Sequence, residues 1–177
     1  MLFKKILVLA ILTLAIELPA FAASLDSMYT NLTSNDCRIV RSSSASDHVV
    51  QACKGVAGYR LLLESYDLRE SVTVISPDGR QHPLDFTRAI TLAPSMVGEK
   101  AEWRVEKRGN QITPIALIVR VYADENPDVP NQRTSYLSVS KITPDRICVT
   151  AKIRNSTNAN EQARQAAAVA AYKPCLR

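Results

Sequence analysis

The feature that most constrains this fold is the stretch from Lys100 to Tyr122, which predicts an antiparallel hairpin. Its first half alternates apolar with charged residues, namely Ala101, Trp103 and Val105 against Glu102, Arg104 and Glu106. Its second half places on one face Ile115, Leu117, Val119 and Val121. A two-residue period is typical of half-buried strands, and a polar turn with Gly109-Asn110 separates the halves. The sequence therefore predicts that this hairpin, which carries the chain's only tryptophan, forms the centre of the core.

The first 22 residues have the pattern of a secretory signal peptide. Lys4 and Lys5 precede the apolar run 6–16, and Pro19 precedes Ala20-Phe21-Ala22, a small-x-small cleavage pattern. The apolar run is too short to span a bilayer comfortably, so no membrane anchor is expected after cleavage. An uncleaved N-terminal anchor is the alternative. The predicted location is periplasmic or secreted.

The remaining segment, 23–177, is expected to form a single β-rich domain. Removal of residues 1–22 takes away two lysines and one glutamate, so the formal charge falls from +5 to +4. This charge is modest and is not concentrated in any run. It favours weak attraction to anionic surfaces and gives no indication of nucleic-acid binding.

All cysteines of the chain lie in the exported segment, and they are Cys37, Cys53, Cys148 and Cys175. An even number of cysteines in an oxidising compartment predicts disulfides, and the absence of a Cys-x-x-Cys pair disfavours zinc. Of the three pairings that exist, Cys37–Cys53 and Cys148–Cys175 each close a short local loop. The chain-entropy model gives about 3 to 4 kcal/mol for each bond.

Alternation and turn residues predict further strands at 37–41, 48–54, 59–64, 71–75, 81–86, 136–142 and 147–153. The segment 24–33 is interpreted as a helical turn or a loop, and 123–133 as a loop. An alanine-rich helix is predicted over 158–172, with Asn158 as N-cap and Glu161 completing a capping box. The predicted fold is mainly β (α+β), an antiparallel curved sheet or a β-sandwich with this helix packed on it.

The order of these landmarks resembles a family of uncharacterised secreted bacterial proteins. The residues that carry the resemblance are the Cys37 and Cys53 pair with Gly58-Tyr59, then Asp67-Leu68-Arg69, Glu102-Trp103-Arg104, and the Asn/Ala-rich segment from Asn158 to Cys175. The resemblance implies a periplasmic location and supplies no activity.

The sequence assigns no catalytic, cofactor-binding or metal-ligating residue. It contains no Gly-x-Ser-x-Gly and no His-Glu-x-x-His. His48 follows Asp47, but neighbouring strand residues point to opposite faces, so Asp47 cannot orient His48 as a triad requires. His82 is interpreted as a solvated loop residue. The charges around Trp103 are interpreted as a solvated face, and Asp124, Glu125 and Asp128 as loop acids rather than a Ca²⁺ site.

The leading functional hypothesis is a non-catalytic binding or inhibitory module of the bacterial envelope. Its expected partner is another envelope protein or an anionic envelope polymer. The segments Thr87–Gly98 and Ala123–Arg133 are the candidate binding loops, since loops on rigid β scaffolds commonly carry recognition. The alternative is a hydrolase or metal-dependent enzyme using His48 or His82, with Asp78 or Asp85 as the nearby acids. The two histidines are expected to lie apart.

Overall fold

The chain folds around one sheet of ten strands. The structure is a computed structural model that describes residues 24–43, 45, 47–129 and 132–176, so the signal peptide assigned to residues 1–22 lies outside the described residues. The strands are β1 Ser24–Asn31, β2 Cys37–Ser43, β3 His48–Lys54, β4 Arg60–Tyr66, β5 Arg69–Ile75, β6 Gln81–Pro83, β7 Ser95–Arg108, β8 Gln111–Ala123, β9 Thr134–Ile142 and β10 Ile147–Arg154. The helices are α1 Phe86–Ala89 and α2 Ala159–Ala168, and a 3-10 turn follows at Ala170–Tyr172.

The spatial order of the strands is β10-β9-β8-β7-β5-β4-β3-β2, with β1 paired to β7 and β6 paired to β5. All neighbours are antiparallel except β5 and β7, which meet in parallel at Arg69 and Ser95. One edge of β7 is therefore shared, because its first residue lies beside β5 while residues 100–107 pair with β1.

The predicted hairpin is confirmed as β7–β8, the centre of the fold. Arg108 pairs with Gln111 across the Gly109-Asn110 turn, and Gly109 adopts a positive φ of 57°. Trp103 is fully buried. The alternating residues beside it, on both strands, are buried as the two-residue period predicts.

A single curved sheet, and not a β-sandwich, encloses the main core. Leu61 of β4 and Val149 of β10 belong to the same buried cluster as Trp103. Strand β6 is attached to β5, and β7, β8 and β9 separate β5 from β10 in the strand order, yet β6 contacts β10 and Arg80 donates to the Pro144 carbonyl at 3.3 Å. The sheet therefore curves around its own inner face, and the β-sandwich alternative is wrong.

The segment 24–33 is a strand, and its prediction as a helical turn or loop is wrong. Strand β1 pairs with β7 along its whole length, from Ser24 opposite Lys107 to Asn31 opposite Lys100. Most of its side chains are exposed or half-buried, so its sequence carries little alternation. The open edge of β7 supplies the hydrogen bonds that make this segment extended.

The strand predicted over 81–86 is shorter than expected. Strand β6 ends at Pro83, and Asp85, with a positive φ of 48°, turns the chain into α1. The buried ring of Phe86 begins this short helix. By contrast, the β9–β10 hairpin forms as predicted, with Ile142 opposite Ile147.

Helix α2 packs on the outer face of β8 and β9, as the small-residue stripe predicts. Ala163 and Ala167 are buried against Ile118, Leu137 and Val139. The predicted capping box is wrong. Asn158 makes no side-chain cap hydrogen bond, because its Oδ1 instead accepts from Gln162 Nε2 at 2.8 Å and from the Ser156 hydroxyl at 3.0 Å.

Both predicted disulfides are present. Cys37–Cys53 joins directly opposed residues of β2 and β3, with Cα atoms 4.4 Å apart, and Cys148–Cys175 ties the segment after α2 to β10, with Cα atoms 5.7 Å apart. Two disulfides indicate an oxidising, extracytoplasmic compartment. Within the described part of the chain, no helix is long and apolar enough to cross a membrane.

Candidate functional site

The two histidines lie apart, as predicted. His48 begins β3 and His82 lies in β6, and strands β4 and β5 stand between them in the sheet. His48 makes an edge contact with the ring of Tyr66 and lines a depression with Glu64 and Glu70. The half-buried ring of His82 lies beside Ser76, which is in the turn between β5 and β6, so the interpretation of His82 as a solvated loop residue is wrong. The structure therefore does not bring the histidines into one site.

The contact between Ser76 and His82 does not activate a nucleophile. The Ser76 hydroxyl donates to Asp78 Oδ1, so the His82 Nε2 at 3.3 Å must donate to the Ser76 oxygen. A general base would have to accept that proton instead. Hydrogen bonds from Ser76 and then from Arg80 lower the pKa of Asp78 to about 2, which makes this carboxylate a weak base. The group stabilises a turn.

The loop acids hold the two candidate binding loops together. Glu125 accepts from the hydroxyls of Tyr136 at 2.8 Å and Thr91 at 3.1 Å. Burial opposes ionisation of Glu125, but these hydrogen bonds and one from Thr134 outweigh it and lower the pKa of Glu125. The Asp124 amide also donates to the Pro94 carbonyl at 2.9 Å. The segments 87–98 and 123–133 therefore meet at one end of the sheet. Residues 130 and 131 lie outside the described residues.

The described residues contain no group of three or more His, Cys, Asp or Glu side chains placed to hold a metal ion.

Another concave surface lies on the outer face, where α2 crosses the sheet. Two adjoining depressions of about 230 and 810 Å³ share Lys100 and Arg120. We call them together the outer groove. Its polar and aromatic lining consists of Tyr29, Glu99, Lys100, Glu102, Arg120, Tyr122, Arg133, Ser135, Asn160 and Arg164.

A β-bulge in β7 shapes the middle of the outer groove. Val97 pairs with Val121 and Ala101 pairs with Val119, so the three residues 98–100 lie opposite Arg120 alone. A Cβ atom on Gly98 would lie 3.1 Å from the Arg120 Cβ, a tight contact, so the close approach of the two strands favours glycine at this position. Bulges re-aim side chains and are common next to functional sites.

Arg120 carries the groove's unneutralised charge. Its guanidinium donates to Ser135 Oγ at 2.8 Å, Asn160 Oδ1 at 3.2 Å and Asn155 Oδ1 at 3.5 Å, all neutral oxygens. Neither Arg120 nor the exposed Lys100 forms a salt bridge with any residue that the structure describes. The guanidinium is therefore held in place by neutral acceptors while its charge is not matched by a carboxylate, which leaves a positioned cation that can bind an anion.

At the opposite end of the groove the carboxylate is already paired, because two arginines lie beside Glu102. Glu102 accepts from Arg164 Nε at 2.8 Å and lies 3.7 Å from Arg104 Nη1. The hydrogen bond and the charge of Glu102 raise the pKa of Arg164. The interpretation of Glu102 and Arg104 as a solvated face is therefore wrong, because only 13% and 14% of these side chains is exposed. Arg164 of α2 binds Glu102, and Arg104 donates to the Ser27 hydroxyl of β1.

Sequence reasoning missed the outer groove. The one local signal was Gly98 directly before the alternating run, since a glycine inside a strand often marks a bulge. The position of α2 above Arg120 depends on strand pairing that no local pattern reveals.

A scan against protein-family models, a search of curated proteins and a search of solved structures each found no match for this chain.

Proposed function

We propose that this protein is a non-catalytic binding module of the bacterial periplasm that takes an anionic polymer into the outer groove. The observation that carries the proposal is Arg120, a half-buried guanidinium whose described partners are all neutral oxygens. The predicted signal peptide and the two disulfides support an extracytoplasmic setting.

The chemistry of the groove favours carboxylate or phosphate groups. A guanidinium offers paired N–H donors that match both groups, and its bonds to anions are stronger than its bonds to neutral oxygens. Lys100 adds a second positive charge beside Arg120. Glu102 adds little negative potential, because Arg164 and Arg104 already compensate it. Glu99, the other carboxylate of the lining, offsets one positive charge, so the groove remains net positive.

The length and flanks of the groove favour an extended acidic sugar chain. The groove crosses the four strands β1, β7, β8 and β9, so it is about 15 Å long at the usual strand spacing. Tyr29 lies at one end and Tyr122 at the other, and Tyr29 is 54% exposed. An aromatic ring next to charged donors presents an apolar face and polar groups together, which suits the mixed surface of a sugar ring.

Calorimetric titration with a hexamer of galacturonic acid tests the proposal. Binding is expected at low salt, weaker binding at high salt, and none with a neutral hexamer of glucose of similar size. Arg120→Gln should weaken binding by about tenfold to a hundredfold, because one charge-assisted pair is lost. The matched control is Arg146→Gln, which removes an exposed positive charge in the β9–β10 turn.

Equal affinity in Arg120→Gln and Arg146→Gln would show that only overall charge matters and would overturn the assignment of the groove. If the wild-type protein binds neither the acidic hexamer nor polyphosphate, the anionic-polymer proposal is wrong. Binding of an acidic peptide in place of both polymers would move the function to protein recognition.

A further inference from the structure

A second charged surface lies at the far edge of the sheet, on β2, β3 and β4. Its cations are Arg38, Arg41, Lys54 and Arg60, which we call the basic face. The outer groove involves different strands, so an inference from the basic face is independent of the proposed function.

A β-bulge gathers these cations on one face. Arg38 pairs with Ala52 and Arg41 pairs with Val50, and the register shifts between Ile39 and Arg41. Directly opposed residues point to the same face, and positions 50 and 52 share a face. Arg38 and Arg41 therefore point the same way, although three positions apart they would lie on opposite faces of a regular strand.

The β3–β4 pair places the other two cations on that same face. Lys54 pairs with Arg60, and position 54 shares its face with positions 50 and 52. None of the four cations forms a salt bridge with a residue in the described ranges. Two carboxylates lie near these cations, Glu64 opposite Val50 and Asp36 beside Arg38, and both accept hydrogen bonds from neutral groups. Four cations against two carboxylates leave the basic face net positive.

The basic face borders an open strand edge. Strand β2 ends the sheet and pairs with β3 alone among the described strands. Ile39 is 65% exposed and Val40 is 47% exposed, so the strand presents aliphatic side chains as well as backbone hydrogen-bonding groups. An open edge strand can accept an added strand from another chain, whereas a bulge and charged side chains, both present on β2, discourage strands that do not match them.

The charges decide what can occupy this edge. An antiparallel pairing of β2 with β2 of a second copy continues the sheet with the same faces aligned, so Arg38 and Arg41 of both copies would lie together. Like charges on neighbouring strands are destabilising. We propose that β2 accepts an extended acidic segment of a partner protein as an additional strand of the sheet.

The experiment titrates the isotope-labelled protein, with the signal peptide removed, with a capped octapeptide that alternates glutamate and valine. Amide signals of β2 should shift, and the β2 amides should gain protection from hydrogen exchange. An N-methylated version of the peptide keeps the charge but lacks the N–H donors of an added strand, so it should not produce this protection.

Charge variants separate recognition from general attraction. The double variant Arg38→Gln with Arg41→Gln should bind the peptide about tenfold more weakly, because the glutamates of the peptide lose two oppositely charged partners and associate more slowly. The double variant Arg108→Gln with Arg146→Gln removes the same charge from exposed sites elsewhere and should bind as the wild type does. A lysine–valine octapeptide should not bind.

Three results would overturn the proposal. They are binding of the N-methylated peptide as tight as that of the parent peptide, signal shifts that do not map to β2, and binding of anionic phospholipid vesicles through β2 when the peptide does not bind. Any one of them would show that the basic face serves another kind of contact. Binding of the octapeptide at β2 should leave the galacturonate titration unaffected, because the outer groove lies on other strands, so failure of one proposal is distinguishable from failure of the other.

Discussion

The indole N–H of Trp103 donates a hydrogen bond to the Thr30 hydroxyl at 2.9 Å inside the core. Trp103 belongs to β7 and Thr30 to β1, so this bond joins the central hairpin to the strand that local sequence patterns do not indicate. Thr30 is the buried position near the end of an otherwise exposed or half-buried strand. The pair therefore marks where β1 is anchored.

Replacement of Thr30 by valine should test this anchor. The substitution keeps the side-chain shape but leaves the buried indole N–H without an acceptor, which costs about 1 to 3 kcal/mol. Chemical denaturation should show that loss in the free energy of unfolding. Thr113→Val, at an exposed position of β8, should cost much less, and equal stability of the two variants would contradict the assigned role.

Replacement of Ala167 by leucine should push α2 away from the sheet. Ala167 is buried against β8 and β9, and added methyl groups in a tightly packed contact cost about 1 to 3 kcal/mol. Thermal unfolding measures the effect. Ala168→Leu is the matched control, because Ala168 is the next residue of the same helix and is exposed. A similar Tm for both variants would show that the helix does not depend on this face.

Removal of the Cys148–Cys175 disulfide, by serine at both positions, should loosen the C-terminal segment while the central hairpin persists. A helix of this length is marginal alone in water, so it depends on docking and on its tether. Hydrogen exchange should rise in 160–172 and stay slow at Trp103 and in 115–121. The control replaces Cys37 and Cys53 by serine and should leave α2 protected. Unchanged protection of α2 without its own disulfide would refute the tether.

Asp78 should make stability depend on pH below about 4. Its pKa is lowered from 3.8 to about 2 by Ser76 and Arg80, so the ionised form is favoured in the folded protein. A lowered folded pKa contributes stability that is present above the unfolded pKa and is lost as the pH falls through the folded pKa. The Tm difference between wild type and Asp78→Asn should therefore be largest near neutral pH and shrink by pH 2. A difference that stays constant over this range would contradict the assignment.

Local sequence patterns predicted much of the fold. The β7–β8 and β9–β10 hairpins follow from a two-residue period and from turn residues such as Gly109, whose positive φ the turn requires. The disulfide pairs follow because each joins cysteines close in sequence. The buried alanine stripe of α2 follows from helical spacing. In each case the determining contacts lie within a few tens of residues.

What the tertiary structure decided is the pairing of distant segments. Strand β1 exists because the edge of β7, about seventy residues later, is open to it. The cation of Arg120 and the bulge at Gly98 meet only because β7 and β8 pair in a register that shifts by two residues there. Arg38 and Arg41 share a face because β3 imposes a bulge on β2. A one-residue change in register reverses which face a strand side chain occupies, and register is set by the partner strand. The sequence by itself determined the elements and their apolar faces, and only the assembled sheet decided where the unmatched charges converge.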